Sequence, residues 1–124
     1  MQMVYYVKRK KCIQLIFLGK PIVTVSQTSV EAIRNNETTI PCSVDAYPNA
    51  TAISWNITLA TTTVVHSGAA TEKYEAVSPS NPCLTIKTPV FEDSGVYACI
   101  AENEFGFGNS ADVSFSVYGG RSVE

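Results

Sequence analysis

Histidine is nearly absent from this chain: His66 is the only one among 124 residues. One imidazole supports neither a His-based zinc set nor the usual serine triad, and no Gly-x-Ser-x-Gly elbow is present. His66 itself is read as a surface residue. Four widely spaced cysteines form no CxxC pair. Gly106-x-Gly108 is a lone fragment and makes no phosphate loop. Acids are scattered over loops, with Glu92–Asp93 and Glu102–Glu104 the nearest clusters, whereas a calcium site needs several oxygens converging on one point. The expectation is therefore no enzyme, no cofactor and no metal. Long apolar runs are missing too. The longest, Cys12 to Leu18, is far short of the ~20 residues that span a bilayer. Helical periodicity is not found anywhere.

Basic charge is scarce outside the first 21 residues. Lys8, Arg9, Lys10, Lys11 and Lys20 stand there with no acid. Residues 22–124 hold four basic and eleven acidic residues, so the overall −2 is the sum of a basic arm and an acidic body. An acidic body repels phosphate, which argues against nucleic acid as a partner. In the arm, a basic run before a short apolar run has the order of a secretory signal, but no Ala-x-Ala site follows. It reads as a signal remnant, or as an extra strand or upstream extension. The expected division is residues 1–21 as the arm, 22–118 as one domain and 119–124 as a linker or tail. Tyr118-Gly119-Gly120 has the composition of an exit towards a further domain.

What is abundant is β-pattern. The apolar fraction of 45% suits a globular core. Short Val, Ile, Thr, Tyr and Phe runs alternate with Ser, Asn, Gly and Pro clusters. Strands are expected at Ile22–Ser26, Val30–Ile33, Thr38–Val44, Ala52–Ile57, Thr62–His66, Tyr74–Val77, Leu84–Ile86, Val96–Asn103 and Ala111–Val117, and one helical turn within Phe91–Gly95. Many short strands imply an all-β two-sheet sandwich or barrel. Cys42 and Cys99 fall at inward positions of their strands, 57 residues apart, and Trp55 at an inward position of the strand after Cys42. Either the two sulfurs bridge facing sheets beneath the indole, or they pack as buried thiols. The Cys–Trp–Cys spacing favours the bridge.

Asp93-x-Gly95-x-Tyr97-x-Cys99, then Ala101, Asn103 and Gly106, resembles the F-strand signature of the immunoglobulin superfamily. Leu84-x-Ile86, Ile40-x-Cys42 and Trp55 match its E, B and C strands. The resemblance covers about residues 22–118, and the short Cys-to-Cys loop is most similar to the intermediate (I-set) class. It implies an antiparallel Greek-key sandwich, a Cys42–Cys99 disulfide, and a Tyr97 hydroxyl bonded back to the backbone. Asp93 is expected to accept hydrogen bonds before strand F. Gly95 is expected to hold a backbone angle that a side chain would obstruct, and Asn103 and Gly106 to shape the F–G hairpin. Pro89 departs from the pattern, so Val90 or Phe91 is expected to fill its core site. Cys83 should point outward; Cys12 and Cys83 read as unpaired thiols, with a Cys12–Cys83 bridge or a link to another chain as the alternatives.

Asn36-Glu37-Thr38, Asn49-Ala50-Thr51 and Asn56-Ile57-Thr58 are N-glycosylation triplets, which point to a secreted chain. The family implies an extracellular recognition module of the adhesion or immune-receptor kind. It would bind protein, either its own kind or another, often beside neighbouring domains of the same fold. Candidate contact residues are Tyr47 and Asn49 in the B–C loop and Glu104, Phe105 and Phe107 in the F–G loop, although for the two phenylalanines the favoured reading is that one or both cap the core. The alternative is an intracellular I-set scaffold of the muscle giant-protein type, or a spacer in a tandem array. Free Cys42 and Cys99 with bare Asn side chains would distinguish the intracellular case.

Overall fold

A computed structural model of the chain describes residues 3–9 and 12–119, with side chains from Leu18 onward. The expected fate of the Cys12 side chain lies outside the described side chains, and that of the tail at 120–124 outside the described residues. Strands β1 (Met3–Arg9) and β2 (Cys12–Leu18) pair as an antiparallel hairpin, Met3 opposite Leu18.

The remaining strands form two layers. One sheet has the order β4 (Ser29–Ile33), β12 (Val113–Tyr118), β10 (Gly95–Asn103), β7 (Ala52–Leu59), β8 (Thr63–Ser67), and β11 (Gly106–Asn109) also pairs with β10. The other layer is two short ladders, β3 (Ile22–Thr24) with β6 (Ser43–Asp45) and β5 (Thr38–Ile40) with β9 (Leu84–Ile86). Every ladder is antiparallel except β4 with β12, which run parallel. The first strand of the sandwich thus changes sheets between β3 and β4. This is the expected all-β two-sheet architecture.

Alternation builds the core. Along β10 the inward residues Tyr97, Cys99 and Ala101 are fully buried, and β7 contributes Ile53, Trp55 and Ile57. Val113 and Phe115 of β12 extend this layer, and Ile40, Leu84 and Ile86 close it from the facing strands. Phe115 meets the Tyr97 ring edge-on at 5.2 Å between centroids, a favoured aromatic geometry.

Several expectations are corrected. Thr38–Val44 is not one strand: β5 and β6 are separated at Pro41 and Cys42, because proline lacks the amide that a continuous ladder needs. Into this gap projects the Cys83 thiol. Its Sγ lies 3.4 Å from the Cys42 amide nitrogen and 3.6 Å from the Cys42 carbonyl, so the side chain is half-buried and engaged rather than pointing out. Tyr74–Val77 is no strand. Tyr74 and Val77 are buried, but only an isolated bridge from Tyr74 to Ile86 forms. Pro89 itself is fully buried, leaving Val90 half-buried and Phe91 exposed. Ala111 is exposed, and the last strand begins at Val113. The buried Ser110 joins β11 to β12, its hydroxyl accepting from the Cys99 amide at 2.9 Å. His66 is buried, not on the surface. Its Nε2 is 2.9 Å from the Glu75 carbonyl and its ring packs on Tyr74. The expected helical turn is present as a 3-10 turn over Phe91–Asp93.

Candidate functional site

The centre of the sandwich is held by the signature residues. Cys42 and Cys99 form a disulfide across the two sheets, with Cα atoms 6.5 Å apart. The Trp55 indole donates to the Pro82 carbonyl at 2.8 Å, so its polar edge is satisfied at full burial. Asp93 is buried, and its Oδ2 accepts from the Val90 amide at 2.9 Å. Its carboxylate also pairs with the Lys73 ammonium at 3.0 Å. The Tyr97 hydroxyl donates to the Asp93 carbonyl. Burial pushes the Tyr97 phenol well above its ordinary range, with the charges of Tyr74 and Asp93 adding to it. Tyr74 is raised too, by burial first and then by Asp93.

Gly95 is required for a different reason from the one expected. Its φ is not in the left-handed region; instead, a Cβ there would stand 2.3 Å from the Thr58 carbonyl oxygen. Apart from the half-exposed Lys73 and Gly95 these groups are buried, and their bonds hold the fold together.

The loop end is organised by Asn103, and this was hidden from the sequence. The buried amide donates to the Gly19 carbonyl at 2.8 Å and to the Pro48 carbonyl at 2.9 Å. Its Oδ1 accepts from the Phe105 amide at 2.9 Å, shaping the turn before β11. One side chain thus joins the entry to the sandwich, the loop around Tyr47–Thr51 and the β10–β11 hairpin. Thr51 reinforces the link, its amide donating to the Glu102 carbonyl at 2.7 Å. Gly106, at φ +131°, lies under the Lys20 stem, and Gly108 abuts Pro21 so closely that a Cβ would stand 1.9 Å from its carbonyl oxygen.

On this frame the expected contact residues separate. Tyr47, Asn49 and Glu104 are exposed. Phe105 is half-buried, while Phe107 is 61% exposed and stands on the outer face opposite Glu102. Asn36, Asn49 and Asn56 are all exposed. A groove near Asn49 is lined by Val44, Ala46, Ala50, Pro79 and Ser80. Among the described residues no three His, Cys, Asp or Glu side chains gather as a metal site would require, and no helix is long and apolar enough to cross a membrane.

A family model described as immunoglobulin domain matches residues 20–103, more than half of the chain. No curated protein matches it.

Proposed function

Because the chain belongs to the immunoglobulin-domain family, we propose that it is a non-enzymatic, extracellular module that recognises another protein. The observation that carries this reading is the buried Cys42–Cys99 disulfide with Trp55 beside it in the core. Such bridges persist in oxidising compartments and are rare in the cytosol. Exposure of the three Asn side chains of the glycosylation triplets supports the same compartment. The I-set class remains part of this proposal.

The recognition surface we assign is the loop end held by Asn103. A rigid base lowers the entropy lost when a partner docks. Phe107 and Tyr47 offer aromatic area there, the residue type that most often anchors interfaces. Partners of either kind, a second copy or a different protein, fit this description.

The test is expression in secretory cells, followed by intact mass with and without reduction and glycan removal. The expected result is a mass gain on reduction matching one Cys42–Cys99 bridge, and a mass loss on glycan removal. Free Cys42 and Cys99 together with no glycan would overturn the extracellular reading.

A further inference from the structure

Asn56 occupies an unusual place for a modifiable residue: the middle of a sheet face. It lies on β7, opposite Ala98 of β10 on one side and Val65 of β8 on the other. Directly opposed residues bring their Cβ atoms to about 5 Å, and diagonal neighbours to roughly 7–8 Å. Val96 and Ile100 are those diagonal neighbours, one step either way from Ala98 along the same face. Val65 is 63% exposed and Val96 40% exposed. Ser54 and Thr58 along β7 and Thr63 and Ser67 on β8 complete the ring, so the surroundings of Asn56 are uncharged, aliphatic at Val65 and along β10 and hydroxyl-bearing elsewhere.

The same face ends at an unprotected edge. β8 is the last strand of the sheet, and its outer side pairs with no strand among the described residues. Its sequence, Thr63-Val-Val-His-Ser67, carries none of the lysines, prolines or bulges that usually blunt an edge. An uncharged edge with Thr63, Val64 and Val65 in a row, beside a face that exposes Val65 and Val96, is a template for pairing with other chains. At the centre of this face stands the triplet Asn56-Ile57-Thr58.

We infer that Asn56 carries an N-linked glycan that covers the outer face of β7, β8 and β10 and shields the β8 edge. This rests on the extracellular reading above. A bulky, hydrated oligosaccharide rooted at Asn56 overhangs Val65, Ala98, Val96 and Ile100 and removes them from protein contact. Recognition is thereby confined to the loop end around Phe107 and Tyr47.

The experiment compares the secreted parent with Asn56→Gln and Thr58→Ala, each of which removes the acceptor triplet by a different residue. Site occupancy is read by peptide mapping, side-chain accessibility by hydroxyl-radical labelling, and self-association by sedimentation velocity. Retention of the Cys42–Cys99 bridge reports folding. The expected result is occupancy at Asn56, with both variants gaining label at Val65, Val96 and Ile100 and shifting towards larger species. A bare Asn56 beside an occupied Asn36 or Asn49 would overturn the shield and leave the extracellular reading standing. No occupancy at any triplet, with the cysteines reduced, would remove both. An occupied Asn56 whose loss changes neither labelling nor self-association would also overturn the shield.

Discussion

The Asn103 side chain donates to the carbonyl of Gly19, 84 residues earlier in the chain, at 2.8 Å. With the close approach of Gly108 to Pro21, this contact sets where the polypeptide enters the sandwich relative to the β10–β11 turn. Asn103→Ala would leave the carbonyls of Gly19 and Pro48 and the amide of Phe105 without their partner. The expected loss is about 1–3 kcal/mol, the usual cost of stranding buried polar groups. Urea unfolding would measure it as a lower midpoint at unchanged slope. A midpoint equal to the parent's would mean that water takes over all three bonds.

Gly95→Ala tests a close approach of two strands. The added methyl meets the Thr58 carbonyl at 2.3 Å, which a fixed ladder cannot absorb. β7 and β10 must separate locally, at a cost of ~1–3 kcal/mol. Thermal unfolding would show a lower Tm for Gly95→Ala than for Ala98→Gly, a substitution that only removes a methyl from the half-buried outer side of the same strand.

Asp93 and Lys73 form an unequal pair. The Asp93 side chain is 3% exposed and the Lys73 side chain 39%. Water already screens the ammonium, so Lys73→Ala is expected to cost less than ~1 kcal/mol. Asp93→Ala also strips the Val90 amide of its acceptor inside the fold and should cost about 1–3 kcal/mol. Chemical denaturation of the two variants gives the order directly; equal costs would mean that the ion pair, not the Val90 contact, dominates.

Alkaline pH should weaken the fold through Tyr97. Its phenol is raised above the ordinary value of 10.0 by burial, while the unfolded chain ionises near that value. The stabilisation is complete below pH 10 and is lost as pH rises towards the higher folded value, since the unfolded state releases its proton first. Tyr97→Phe should therefore be less stable than the parent near pH 7, by roughly 1 kcal/mol for the lost bond to the Asp93 carbonyl. The gap should narrow above pH 10. Urea midpoints across that range check both signs; a constant gap would rule out the titration.

Replacing both Cys42 and Cys99 by Ala removes a cross-link that spans 57 residues. The chain-entropy account assigns such a loop about 4 kcal/mol. A domain of this size has little more to spare, so the double variant is expected to be largely unfolded at physiological temperature by circular dichroism.

The core was legible because its signals are periodic and local. Ile53, Trp55 and Ile57 alternate, as do Tyr97, Cys99 and Ala101, and all six are buried as the period requires. Contacts decided by distant backbone were not legible. Asn103 carries ordinary turn chemistry in the sequence, and nothing there reveals that Gly19 and Pro48 will offer it carbonyls. Gly95 suggested a special φ, yet it is the Thr58 carbonyl on the next strand that excludes a side chain. His66 was read by its chemistry as a surface group, but the Glu75 carbonyl and the Tyr74 ring make a buried place for it. Pro41 is plain in the sequence, whereas the thiol of Cys83 filling the gap it opens depends on how two strands face each other.

The parallel pairing of β4 with β12 gives the domain a mechanical character. Gly19 is bonded beside the β10–β11 turn, and β12 runs away from that turn to end at Tyr118. Entry and exit therefore lie at opposite poles. Tension applied between them pulls two side-by-side strands past each other, from Ser29 opposite Ser114 to Ile33 opposite Tyr118. The rungs of that ladder would then be loaded together in shear, whereas a pull on the β8 edge would open its rungs one at a time.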